Sequence, residues 1–461
     1  MLDQKSAEQI FERVQKFATT KEVEVIVNSV HFSLTRFANN TIHQNVAEDN
    51  NVVSVRTVID GKTARATTNK TDDASLKRAV EAAERLTRVQ EPDPDLLPLT
   101  KAMAGSEKPS RYFERSAKLT PEDRAAGVGK IVEVAKKNKL VTAGIFSSGE
   151  SFEGILNSAG MRNFHRQSSA EVSVTMLNDA QRSSGWQKRN APDITAFDPA
   201  EVGEIAAQKA LASAHPKELP AGKYDVILEP SAVLDLVGFM FQDFGAQAVL
   251  DERSFLNERI GTKLFGENIT IDEDAYHPLQ SGTQFDGEGI PKQRLRLVEN
   301  GVINNVVLSR ASAERMKKSP LAKHFATIAP TGHGFPLPNE VGDAPMNIVF
   351  AGAAMGSAKT VPQMIAESER AILVTRVWYI REVEPYQKVL TGMTRDGTFL
   401  VEDGKVKHGT LNFRLNQSLV EMLNNVLGMS ESVRAAGEES FDMVVPAMKV
   451  RGFNFTEVTK F

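Results

Sequence analysis

Cysteine is absent from the 461 residues of this sequence, which excludes disulfides, thiol nucleophiles and thiolate metal ligands together. Eight histidines remain as soft ligands: His31, His43, His165, His215, His277, His324, His333 and His408. A helical zinc site needs two histidines about one turn apart with a carboxylate beside one of them, and no such pair occurs. The closest two, His324 and His333, are separated by a proline-containing segment unlike a single helical face. Neither a G-x-S-x-G elbow nor a G-x-x-x-x-G-K-[ST] phosphate loop is present. Long apolar runs are lacking too. The longest, around Ile348 to Met355, falls far short of the roughly 20 residues that span a bilayer. An excess of positive charge is also missing, with 55 basic against 59 acidic residues and a pI near 6.1. No nucleic-acid partner is expected on that balance, and no membrane. The opening Met1-Leu2-Asp3-Gln4-Lys5 has no apolar signal core, so a cytoplasmic location is the default expectation.

What is present is the composition of a globular protein, 41% hydrophobic and 25% charged, too long for one ordinary core. Residues 3–18 place Ile10, Phe11, Val14 and Phe17 at helical spacing. Strand-like alternation follows in 22–27 and 52–59, the second closed by an Asp60-Gly61 turn. Asp72 or Asp73 then caps a helix with Leu76, Val80, Ala83 and Leu86 on one face. The order recurs: Thr120-Pro121-Glu122 starts a helix, strands follow at 140–146 and 171–177, and a helix begins near Asp198-Pro199. Val53-Ser54-Val55 is matched by Val172-Ser173-Val174 (172 − 53 = 119 positions later), and the same offset carries helix 3–18 onto 122–137.

The expectation is an α+β chain. Helix-flanked antiparallel sheet units at 1–90 and 111–220, related by duplication, are joined by a Pro-rich extended connector at 91–110. A β-rich domain is expected from 222 to 461, with helices at 309–318 and near 417–427. Turns are expected at Glu299-Asn300-Gly301, Arg395-Asp396-Gly397 and Glu402-Asp403-Gly404. Gly287-Glu288-Gly289 reads as a turn, and Asp272-Glu273-Asp274 as an exposed acidic turn rather than a cation site.

Three ordered segments resemble the TldD/PmbA family of peptidase-related proteins. Arg36-Phe37-Ala38-Asn39-Asn40-Thr41-Ile42-His43-Gln44 is similar to its opening motif. Phe285-Asp286-Gly287-Glu288-Gly289, with Arg294 and Val298-Glu299-Asn300-Gly301, is similar to its central block. Thr391-Gly392 through Glu402-Asp403-Gly404 resembles its late hairpin. The resemblance implies a two-subunit peptidase whose active subunit carries H-E-x-x-x-H on a helix. Counting back from Ser254-Phe255-Leu256, the equivalent positions here are Gly238, Phe239 and Asp243. Glycine and phenylalanine can neither bind zinc nor accept a proton.

The resemblance therefore implies the family's non-catalytic, TldE/PmbA-like type: no catalytic residue and no metal in this chain, and zinc only in a partner subunit. The partner is a TldD-like catalytic subunit, or a second copy in a homodimer, and the substrate is an unfolded peptide. Thr331, Gly332, His333 and Arg395 are the candidate peptide-channel residues. Two alternatives stand beside this reading: a metallopeptidase acting alone through a rearranged site, and a non-enzymatic regulatory protein, as the older family name "modulator of DNA gyrase" suggests.

Overall fold

The computed structural model describes residues 1–103, 109–353 and 356–459, so part of the proline-rich connector and the end of the apolar stretch at 348–355 lie outside the described residues. Local capping chemistry sets the N-terminal elements. Asp3 accepts from the Ser6 amide at 2.8 Å and starts α1 (Gln4–Phe17). Strand β1 (Glu22–Ala38) turns through Asn39 and Asn40 into β2 (Thr41–Ile59), and β2 turns through Asp60 and Gly61 into β3 (Lys62–Thr68). Both residues of each turn have positive φ, 52° and 61° in the first and 50° and 72° in the second, as type I′ hairpins require. Helix α2 (Asp73–Val89) follows, capped by Asp72.

After the short α3 (Glu114–Ala117), the pattern repeats as α4 (Pro121–Lys137), β4 (Val141–Asn157), β5 (Arg162–Asn178), β6 (Ser183–Ala191) and α5 (Pro199–Ala212). Thr120 and Asp123 form a reciprocal capping box on α4.

The two repeats share one six-stranded antiparallel sheet in the order β3-β2-β1-β4-β5-β6. Each half is an αβββα unit, and β1 pairs with β4 along the middle. Residues 1–90 and 111–220 are thus halves of a common sheet rather than separate bodies. The strands run well past the alternating segments visible in the sequence, because β1 and β4 support each other from Glu24 to Phe37. On α2, Leu76, Val80 and Ala83 are buried as expected, but Leu86 is 44% exposed. Thr87 takes the inward position instead, its hydroxyl 2.7 Å from that of Thr57.

Period-two alternation decides what each sheet face does. Val23, Val25, Val27, Val53 and Val55 pack against α1 and α2, while Phe37, Phe146, Val172, Val174 and Met176 pack against α4 and α5. All four long helices therefore cover one face. The other face carries Glu24, Ile26, Asn28, Ile155 and Glu153, and is turned toward the C-terminal domain. Arg65 donates to the Leu337 carbonyl at 2.8 Å, Asn163 to that of Gly289 at 2.8 Å and Arg111 to that of His277 at 2.8 Å. Ile26, Ile155 and Met161 meet Phe285 in a small shared core.

The C-terminal domain is β-rich. Strand β7 (Gly222–Leu228) joins a seven-stranded sheet that includes the strands Arg370–Glu384, Val389–Glu402 and Met448–Val458. A six-stranded sheet includes Ile271–Glu273, Leu295–Glu299 and Ile348–Phe350. Between them lies a large core containing helix α6 (Pro230–Val237) and the phenylalanines Phe241, Phe244, Phe255 and Phe350.

Three expectations are corrected here. Arg395-Asp396-Gly397 is no turn: it lies within the strand Val389–Glu402, where Asp396 and Gly397 have φ of 51° and 126° and the pairing register slips. Asp272-Glu273-Asp274 is not an exposed turn, because Ile271–Glu273 is a central strand and Glu273 has no exposed surface. The helix expected near 417–427 is shorter, Leu419–Asn424, since the strand Phe413–Ser418 runs up to its cap. Among the described residues no helix is long and apolar enough to cross a membrane.

Candidate functional site

The segment that the resemblance sets against the zinc-bearing helix is built for packing. Helix α6 ends at Val237, and residues Gly238–Phe244 tighten into a 3-10 helix with Met240, Phe241 and Phe244 fully covered. A Cβ placed on Gly238 would stand 1.8 Å from Ser440 Oγ and 2.5 Å from Ser440 Cβ, so no imidazole fits there without displacing that chain. Phe239 is an apolar side chain packed against the core.

Asp243 is already engaged: Lys388 Nζ lies 2.5 Å from its carboxylate, and the Phe255 amide donates to it at 3.1 Å. Burial pushes the Asp243 carboxyl above its ordinary range, and Lys388 pulls it back. Lys388 is held in turn by Glu382 at 2.7 Å. Among the described residues no three histidine, aspartate or glutamate side chains converge as a metal would require. The residues at this window do not fit a catalytic zinc.

The polar chemistry gathers elsewhere, where the helix-free sheet face meets the C-terminal domain. Two cavities of about 420 and 650 Å³ lie there, both lined by Asn28, Glu153, Thr283, Lys292 and Met346, so they are lobes of one cleft. A buried chain of polar groups runs up to it. Thr331 Oγ1 lies 3.0 Å from His333 Nδ1 and donates to the Leu308 carbonyl at 3.2 Å. His333 Nε2 sits 3.1 Å from Glu273 Oε1, off the line of a hydrogen bond. The other Glu273 oxygen accepts from the Asn347 amide at 2.7 Å, and Asn347 Oδ1 accepts from Lys292 Nζ at 2.8 Å.

Beside this chain the central glycine-rich block closes on itself. Asp286 accepts from the amides of Gly334, Ile290 and Glu288 at 2.7, 2.8 and 2.9 Å. Burial still holds the Asp286 carboxyl above its usual value. Glu288, buried and next to Asp286, is pushed up to about 7. Gly287-Glu288-Gly289 is a tight turn organised around the Asp286 carboxylate, as its glycine content suggested.

Of the candidate channel residues, Thr331 and His333 belong to the chain that supports the cleft, and His333 lines it. Gly332 has φ of 80°, and a Cβ there would meet the Pro291 carbonyl oxygen at 2.4 Å, so its role is backbone passage beside the cleft. Arg395 is not brought together with them. It borders a separate cavity of about 410 Å³ with Arg182 and Thr410, stacked over Trp378 at 5.1 Å and 3.4 Å from Asp396.

The sequence reading passed over Lys292 and Glu153. Alternation in Ser151-Phe152-Glu153-Gly154-Ile155 does place Glu153 opposite the helix-packed face, whereas nothing local distinguishes Lys292.

Comparison with known proteins follows this architecture. Models described as PmbA/TldA metallopeptidase domain 1, central domain and C-terminal domain match residues 23–87, 69–214 and 221–457. An uncharacterized protein of Methanocaldococcus jannaschii is 27% identical over 273 residues, 58% of this chain and 62% of that protein, so the match spans less than two thirds of its length. Metalloprotease PmbA of Escherichia coli is 21% identical over 392 residues, 82% of this chain and 80% of that one. The crystal structure of TldE from Thermococcus kodakarensis matches 98% of this chain and 100% of its own, with a TM-score of 0.83 at 21% identity. That likeness establishes the shared fold.

Proposed function

The chain belongs to the PmbA/TldA metallopeptidase family, and from that membership we propose that it is a catalytically silent, TldE-like subunit. It works beside a zinc-bearing catalytic partner in the cytoplasm and helps hold unfolded peptides for proteolysis or peptide maturation. Zinc belongs to the partner alone in this reading. The observation that carries it is the state of the Gly238–Asp243 window. One position has no side chain and no room for one, one is a phenylalanine, and the single carboxylate is committed to Lys388. Zinc catalysis needs about three protein ligands and an open position for water.

A partner interface is supported by the end of the Arg370–Glu384 strand and its turn, where Tyr379, Val383 and Tyr386 are 58%, 55% and 42% exposed. Apolar surface concentrated in this way suits a protein contact, and a stable one buries roughly 1,600 Å².

The test is elemental analysis of the purified chain, with hydrolysis of an unfolded peptide measured with and without chelator. Size-exclusion chromatography with light scattering follows, alone and with an H-E-x-x-x-H family member. The expected result is no stoichiometric zinc, no cleavage alone, and a stable complex. Stoichiometric zinc with chelator-sensitive cleavage by this chain would overturn the reading, as would a strict monomer that ignores the partner.

A further inference from the structure

Two side chains of opposite charge face the cleft without satisfying each other. Lys292 has three N–H donors and, among the described residues, uses one, on Asn347 Oδ1. Glu153 projects from the centre of the helix-free face, with Asn28 and His165 as its cross-strand neighbours. Among the described residues no hydrogen bond reaches the Glu153 carboxylate, and Lys292 is not within ion-pairing distance of it, although each feels the other's charge. Burial raises the Glu153 carboxyl and lowers the Lys292 ammonium, while both side chains keep part of their surface open to the cleft. Two half-buried polar groups with unused hydrogen-bonding capacity facing one cleft are open to a ligand that supplies the matching donor and acceptor.

The surroundings fix what that something is. Adjacent plus and minus charges disfavour a ligand of single net charge and favour one that carries an acceptor and a donor side by side. A peptide unit does so, with its carbonyl oxygen and N–H. Lobes of about 420 and 650 Å³ hold several residues rather than one amino acid, and Val30, Met346 and Phe335 supply apolar wall beside the polar pair.

We propose that this cleft is a main-chain subsite for an extended peptide. In it Lys292 donates to a carbonyl oxygen and Glu153 accepts from an N–H of the same strand. The chain Thr331–His333–Glu273–Asn347 is the positioning support that aims Lys292. This deepens the peptide-holding role above and rests on it. Reading main-chain atoms gives little preference for sequence, which suits unfolded substrates.

The experiment measures fluorescence anisotropy of a fluorescein-labelled, unstructured Gly/Ser/Ala dodecapeptide, C-terminally amidated, titrated with the full chain. Lys292→Met and Glu153→Gln should each weaken binding by about tenfold, the scale of one charge-assisted hydrogen bond. A probe with a free C-terminal carboxylate should bind no better. A second measurement needs no variant: acetylation of Lys292 in the unmodified protein, read by mass spectrometry, should slow when the peptide is added.

Binding by the unmodified chain that both variants retain, with Lys292 equally acetylated, would overturn the subsite and leave the peptide-holding role standing. Binding confined to the free-carboxylate probe would replace main-chain recognition with terminus recognition and overturn the proposal. No peptide binding by the unmodified chain would overturn both.

Discussion

Replacing Lys388 with methionine is a sharp test of how the Gly238–Asp243 window is held together. Methionine keeps most of the aliphatic stem and removes the ammonium, together with its place 5.5 Å from the Phe255 ring centroid. Among the described residues, Asp243, 8% exposed, would then keep a single hydrogen-bond donor to its carboxylate, the Phe255 amide at 3.1 Å. Removing one member of a buried pair costs about 3–5 kcal/mol, because the other charge stays desolvated. Protonation limits the loss. Burial already raises the Asp243 carboxyl with Lys388 present, and without it the rise is larger, so the group takes up a proton more readily as pH falls.

The expected loss is therefore about 3 kcal/mol, read from urea unfolding midpoints at pH 8. It shrinks toward pH 5, because an acid with a raised folded pKa loses stability as pH climbs from its unfolded to its folded value. Asp243→Asn should cost less, since Lys388 keeps Glu382 at 2.7 Å. The double variant should lose less than the two single losses added together. A Lys388→Met loss below about 0.5 kcal/mol, or strict additivity in the cycle, would refute the reasoning.

Other outcomes follow from the same structure. Asp235, buried on α6 and pushed up to about 7 by burial, binds a proton in the folded state between about pH 4 and 7 that the unfolded chain has lost. Stability should fall with rising pH across that window at up to about 1.4 kcal/mol per unit, and Asp235→Asn should flatten the slope in thermal melts. Gly238→Ala should destabilise by about 1–3 kcal/mol through overpacking on Ser440, and adding Ser440→Gly should recover most of it in the same melts. Glu24 lies 2.7 Å from Arg65 and 3.6 Å from Arg56, with Glu24 and Arg56 buried and Arg65 half-buried, so Glu24→Gln should cost about 3–5 kcal/mol. It should also speed hydrogen exchange at the Leu337 amide, beside the carbonyl by which Arg65 anchors the C-terminal domain.

Features set by neighbouring residues were legible in the sequence. Thr120-Pro121-Glu122, Asp72, Asp198-Pro199 and Asp60-Gly61 each announce a cap or turn whose partners lie a few positions away. The 119-residue offset was legible because both halves bury the same face of the same sheet; β1 and β4 begin at Glu22 and Val141 (141 − 22 = 119).

What distant pairing decides was not legible. Asp396-Gly397 has turn chemistry, yet positive φ serves a bulge equally well, and only pairing with the Arg370–Glu384 strand selects the bulge. Glu273 looks like surface acid until Asn347, 74 positions on, donates to it. The cleft was invisible for the same reason, because Glu153 and Lys292 belong to different domains and meet only when the sheet face is covered.

The central pairing of β1 with β4 also sets a timetable for synthesis. The hairpin of β1 and β2 closes as soon as both strands exist, but the far edge of β1 waits for a strand ending at Asn157. At roughly 5–20 residues per second on the ribosome, the 119 residues from the end of β1 to the end of β4 (157 − 38 = 119) mean a wait of about 6–24 s. Throughout it, a strand of 17 residues offers unpaired amides and carbonyls to any neighbour. The nascent first half is thus a natural client for chaperones, and its exposure ends only when the second half of the sheet arrives to cover it.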